Sequence, residues 1–260
     1  MALINGEKLQ EIQEMALEFN RKLITDPNYG AVIKRNGGFL LLGNHYGVSS
    51  KLYFGLNPGG AGEGYFDVCP LCENGPWEIE KATGESVALA WKNKPSHKGY
   101  RPGSWVNCSR CFGSNTFLYD WPSQGGWMCD ATSAFVIPWS TPSKEELTPL
   151  LSGTSMARYS RELVLKMVEH HDPAVIIATG PSCWKYLRSF LGIQGDLHYV
   201  LTCAEGNKKY PGANGIGNNQ YQWGKLKFGS TTVFMVPHFA RANNTEALKD
   251  CASWLKSELC

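Results

Sequence analysis

Four short apolar runs constrain the fold more than any other feature of the chain: residues 51–56 (KLYFGL), 132–138 (TSAFVIP), 174–179 (AVIIAT) and 231–236 (TTVFMV). The second and third are continuously apolar rather than alternating, as expected of strands covered on both faces in a parallel sheet. The fourth is β-branched and bounded by Gly229 and Pro237. Helical periodicity fills much of the remainder. Residues 7–24 set Leu9, Ile12, Ala16, Phe19 and Leu23 at steps of three and four and stop at Asp26-Pro27. Residues 155–171 do the same with Met156, Tyr159, Leu163 and Met167, and a further helix is expected after Gly180, through residues 183–190. The last, 244–259, opens on Asn-Thr capping chemistry and carries Leu248, Ala252, Leu255 and Leu259 on one stripe. Strands alternating with helices predict a three-layer α/β/α domain around a central, mainly parallel, four-stranded sheet. Its binding crevice is expected outside the carboxyl ends of the strands.

Residues 61–130 break this rhythm. They are rich in Gly, Pro, Trp and Asn and carry two Cys-x-x-Cys pairs, Cys69/Cys72 and Cys108/Cys111. A structureless loop of that length inside a compact domain needs something to hold it. Four thiolates from two such pairs make a closed tetrahedral zinc site, so a structural zinc is the expected cofactor; buried free thiols or a redox pair are the alternatives. The chain therefore reads as one domain over residues 1–260 with a Cys-rich insert at 61–130. No organic cofactor is expected, because the glycines of residues 55–64 match neither a phosphate loop, which needs Lys-Ser/Thr at its end, nor a dinucleotide fingerprint, which must open a helix.

Composition narrows the setting. With 43% hydrophobic residues the chain has material for a large core. It has no apolar run of membrane-spanning length, and its first residues, MALINGEKLQ, lack the basic and apolar regions of an export signal, so a cytoplasmic monomer without membrane contact is expected. Nine cysteines in that setting favour thiols or metal ligands over disulfides, and Cys129, Cys183, Cys203, Cys251 and Cys260 read as ordinary core or surface residues. The net charge of +2 restricts any nucleic-acid surface to a local patch. The segment 91–101, WKNKPSHKGYR, interleaves Lys92, Lys94, Lys98 and Arg101 with aromatics and is a candidate for one, although a cluster of this size also suits a solvated loop.

Two strand ends carry the functional signal. "GLNPGG" at 55–60 follows the first run and "PHFARANN" at 237–244 follows the last. Together with "DPAVIIATGPSCWKYL" at 172–187 they resemble the uracil-DNA glycosylase superfamily, nearest its mismatch-specific and single-strand-selective monofunctional branch. The resemblance implies a glycosylase-like α/β fold, DNA as the partner, and hydrolysis of the N-glycosidic bond of a flipped-out pyrimidine. It implies that Asn57 orients the attacking water and that His238 donates a hydrogen bond to the anionic leaving base. It assigns Gly55 and Leu56 to the base pocket, and Pro58, Gly59 and Gly60 to a close backbone approach to DNA. Phe66 falls at the stacking aromatic, and Arg241 and Asn243 fall in the loop that enters the duplex. Relatives specific for uracil carry an asparagine on the second core strand. Here Ser133 or Ala134 stands there, so strong selection for uracil is not expected. With the insert, this points to a bulky modified cytosine of phage DNA, in antiviral defence. A uracil-repair enzyme drawing a base-reading amide from Asn44, Asn218 or Asn219, and a non-catalytic zinc-containing nucleic-acid-binding module, are the alternatives. Neither motif contains a lysine, which implies a monofunctional enzyme.

Overall fold

A computed structural model describes residues 5–36, 46–57, 131–139, 147–149, 151, 154–201, 222–237 and 245–259. The chain begins with α1 (Gly6–Ile24), whose N-terminus is capped by Asn5, the side chain accepting from the Lys8 backbone N–H. The expected stripe Leu9, Ile12, Ala16, Phe19 and Leu23 is buried, and Phe19 stacks on Tyr159 of a later helix at 4.3 Å between ring centroids. An Asp26-Pro27 turn, closed by Asn28 N–H donating to Asp26 Oδ1, leads to the short helix α2 (Gly30–Asn36). Gly30 has to be glycine because a Cβ there would stand 2.3 Å from the Ile24 carbonyl oxygen.

The sheet is built from β1 (Lys51–Gly55), β2 (Thr132–Phe135), β3 (Val175–Thr179), β4 (His198–Leu201), β5 (Trp223–Phe228) and β6 (Thr231–Val236). Its order is β2-β1-β3-β6-β5-β4. The four strands read from the sequence are its parallel part, β2-β1-β3-β6, and the two unexpected ones extend it antiparallel from β6. Strands β5 and β6 form a hairpin: Gly229 takes the first position of a two-residue turn with φ of 60°, as a type II′ turn requires. Within WGKLKF, Leu226 and Phe228 pack against the core and alternate with Lys225 and Lys227, a half-buried pattern that a search for continuous apolar runs passes over.

Register divides the strand residues between two faces. Leu52, Phe54, Ala134, Ile176, Ala178, Val233 and Met235 share one face and join the core with α1 and the helices α3 (Thr154–His171) and α4 (Pro181–Leu191). On the opposite face the Phe234 ring meets Trp254 of α5 (Thr245–Leu259) edge to face at 5.8 Å, and Lys225 pairs with Glu258 of the same helix. The protein is thus α/β with a mostly parallel sheet and helices against both faces. Among the described residues no helix is long and apolar enough to cross a membrane.

A polar cluster pins the amino end of β1 to α1 and α3. The Tyr46 hydroxyl meets His170 Nδ1 at 2.8 Å, and His170 Nε2 meets the Glu11 carboxylate at 2.9 Å. Lys166 bridges Glu11 and Glu169, and its hydrogen bond holds the Glu11 carboxyl below the usual range, with His170 adding to the effect. Lys8 donates to the His170 carbonyl oxygen. His171 makes its hydrogen bonds to backbone: its Nδ1 lies 2.8 Å from the Ser49 carbonyl, to which it must donate, and its Nε2 accepts from Gly47 N–H at 3.1 Å. The Gly47 partner demands the neutral ring, because an amide N–H cannot accept a hydrogen bond from a protonated Nε2; the Ser49 carbonyl would accept from either form.

Burial pushes the His171 imidazole down to about 4 from its ordinary value of 6.5. The folded state therefore binds less proton than the unfolded chain between those values, so the stability held by the neutral ring is whole above pH 6.5 and is lost as pH falls through 4. Denaturant titrations at pH 7.5 and 4.5 should differ by about 2–3 kcal/mol more in the native protein than in His171→Asn, which has no ring to titrate.

Candidate functional site

The carboxyl ends of the parallel strands form one edge, and the first motif emerges there. Pairing with the β2 side continues beyond β1 itself: Val136 N–H donates to Gly55 O at 2.9 Å and Ile137 N–H to Leu56 O at 2.8 Å. Backbone is thus fixed up to the residue before Asn57, which is half-buried at the rim. The α4 side adds a third restraint, as the Cys183 thiol donates to Phe54 O at 3.3 Å. Cys183 is fully buried, and that burial pushes its thiol up to about 12, so it is a packing residue and not a nucleophile. Cys251 is likewise buried and free, as the sequence led one to expect of both.

Gly55 is glycine for a steric reason. A Cβ at this position would stand 3.0 Å from both Cδ1 and Cε1 of Phe135, so the aromatic edge occupies the space beside the strand. Across the sheet, Gly55 is paired with Phe135, and Phe54 with Ala178, which sets Gly55 level with Thr179. Thr179 is in turn paired with Val236. One strand therefore separates Gly55 from Val236, roughly 10 Å at the usual interstrand spacing. Beyond β3, Gly180 takes φ 85° and its N–H donates to Val236 O at 2.7 Å, tying the start of α4 to the end of β6. Pro181 opens α4 at a position where its missing N–H costs nothing. The chain leaves β6 through buried Pro237, immediately before His238.

Of the site residues inferred from the sequence, Gly55, Leu56, Asn57, Ser133 and Ala134 fall in the described part. Ala134 is a correction. It is paired with Phe54 and packs 3% exposed in the core under α1 and α3, so it faces away from Gly55 and cannot line a pocket beside it. Ser133 is paired with Tyr53, the register position that shares the parity of Gly55. His238, Phe66, Pro58, Gly59, Gly60, Lys98, Arg101, Arg241, Asn243 and the cysteines 69, 72, 108 and 111 lie outside the described residues. Among the described residues no group of three or more His, Cys, Asp or Glu side chains is gathered as a metal would need.

Two residues at this edge were not singled out from the sequence. Phe135 is half-buried against Gly55, and Thr179 is 4% exposed with a hydroxyl that has no hydrogen-bond partner among the described residues. Only cross-strand register brings them level with Gly55, and a single apolar run carries no register. No family model matches the chain, and no curated protein matches it.

The contact between Phe135 and Gly55 is testable alone. Gly55→Val should destabilise the fold by about 1–3 kcal/mol through overpacking. Adding Phe135→Ala should return at least half of that loss in a urea double-mutant cycle, since it removes the atoms the new side chain strikes.

Proposed function

We propose that the protein is a monofunctional DNA glycosylase of the uracil-DNA glycosylase type, which hydrolyses the N-glycosidic bond of an extruded pyrimidine and leaves an abasic site. The observation that carries the reading is the shared edge. The backbone leading to Asn57 and the backbone leading to His238 leave the same end of a parallel sheet, level with each other and one strand apart. Loops starting that close can grip one small group from two sides.

The chemistry asks little of them. As the C1′–N1 bond breaks, its electron pair departs on the base and positive charge grows on the sugar; a water oxygen then bonds to C1′, and the proton it releases passes through solvent to neutralise the departed base. The Asn57 carboxamide orients that water. The His238 imidazole donates to the pyrimidine oxygen on which negative charge collects, an interaction of a kind worth about 3–4 kcal/mol. Extruding the base costs a few kcal/mol, which stacking on aromatic side chains offsets. The preferred substrate is a bulky modified cytosine such as hypermodified phage DNA contains, because the bidentate amide that selects uracil is missing from 130–140. The setting that fits is a cytoplasmic, DNA-acting monomer.

Oligonucleotides carrying one uracil, 5-hydroxymethylcytosine or glucosylated 5-hydroxymethylcytosine, assayed by alkaline cleavage of the abasic product, test this. The glucosylated base should be released, and Asn57→Ala or His238→Ala should slow single turnover at least about a hundredfold. Release of uracil with refusal of the bulky bases would instead identify a repair enzyme. No release from any of them would leave a non-catalytic nucleic-acid-binding module.

The four thiolates of Cys69, Cys72, Cys108 and Cys111 suit a structural zinc within the insert. Elemental analysis after gel filtration should find about one zinc per chain. Replacement of Cys69 and Cys72 by serine should abolish it.

A further inference from the structure

The level row at the crevice edge, Phe135, Gly55, Thr179 and Val236, contains an unexplained group. Thr179 is 96% removed from solvent, yet among the described residues its Oγ1 has no hydrogen-bond partner. Leaving a buried hydroxyl unpaired costs about 1–3 kcal/mol, and valine, of the same shape, would avoid that cost. Thr132 and Ser160 also carry unpaired buried hydroxyls, but both are fully enclosed, Thr132 level with Leu52 and Ser160 within α3, where no ligand reaches. Thr179 is the last residue of the central strand, at the edge itself.

Strand parity gives its direction. Ile176 and Ala178 belong to the core under α1, α3 and α4, so Thr179 stands on the other face with Ile177, the face of Tyr53 and Gly55. Gly55 contributes no side chain between Thr179 and β2, and the Cδ1–Cε1 edge of Phe135 reaches over it. A hydroxyl and an aromatic edge thus bracket a strand position without a side chain. That combination suits a planar heteroaromatic ring, with aromatic carbon against its body and one polar group at its rim. A hydroxyl both donates and accepts. It can serve the 4-amino group of a cytosine or the 4-oxo group of a uracil, where a fixed amide serves only one.

We propose that Thr179 is a base-reading residue that hydrogen-bonds the polar edge of the extruded pyrimidine, and that Phe135 packs against the same base. This rests on the glycosylase reading above and supplies it with a pyrimidine contact that tolerates modified cytosine.

The test uses Thr179→Val, Thr179→Ser and Asn57→Ala in the full chain, with the same three oligonucleotides. Thr179→Val should melt no lower than the native protein, yet lose about tenfold or more in kcat/KM on the released base, because the base's polar edge is then buried unpaired. Thr179→Ser should stay within about threefold of native, since it keeps the hydroxyl. Native kinetics in Thr179→Val, on a substrate that Asn57→Ala cannot cleave, would overturn the inference and leave the glycosylase reading standing. A marked fall in melting temperature for Thr179→Val would also overturn it, by giving the hydroxyl a structural role. If Asn57→Ala cleaves as fast as native, or no oligonucleotide is cleaved, the glycosylase reading fails and this assignment with it.

Discussion

The register of β3 between β1 and β6 is the constraint on which the rest depends. Ile176, Ile177 and Ala178 are fully buried, so the strand has a covered face on either side and no freedom to slide. A one-residue slip against β1 would exchange Ala178 for Thr179 under α4 and bury a hydroxyl in the core, while turning a methyl to the crevice. The same register makes Gly55 and Val236 level. Packing energy in the interior therefore sets the relative height of two loops that share no sequence proximity.

Strand β1 is restrained at both ends by unlike means. At its start, Ser49 and Gly47 are clamped by the two nitrogens of His171, and Tyr46 is fastened through His170 to Glu11. At its finish, the carbonyls of Phe54, Gly55 and Leu56 accept from Cys183, Val136 and Ile137. A residue just past such a strand inherits its rigidity. The adjacent histidines divide the work: one is tied to side chains, the other to main chain.

Much of the scaffold was legible because burial on both faces writes continuous apolar runs, and 175–179 and 231–236 kept almost the expected bounds. The helices were legible through their stripes, α1 and α3 most clearly. Strand β5 was missed because its signal is a period of two, Lys225-Leu226-Lys227-Phe228 with Leu226 and Phe228 against the core, and not a continuous apolar run; β4 was missed because it is only four residues long. The second of the expected runs proved shorter, ending at Phe135 instead of Pro138. At the sheet edge, Asn57 was legible from its place after the first apolar run, and it stands just past the carboxyl end of β1. The choice between Ser133 and Ala134 was not legible, because parity depends on which neighbour a strand takes, a property of pairs of segments. Thr179 and Phe135 were invisible for the same reason.

The sheet joins segments of very different reach. Strands β5 and β6 meet across two residues, whereas β1 must find β3 from more than a hundred positions away and β2 from beyond the whole insert. Chain closure over such spans is entropically slower to achieve than a hairpin. Loop closure therefore favours the β5–β6 hairpin as the earliest pairing and the pairings of β1 as later ones. Reversal follows the same path, so the margin beside Asn57 is where amide protons should first exchange with solvent, well before the hairpin yields.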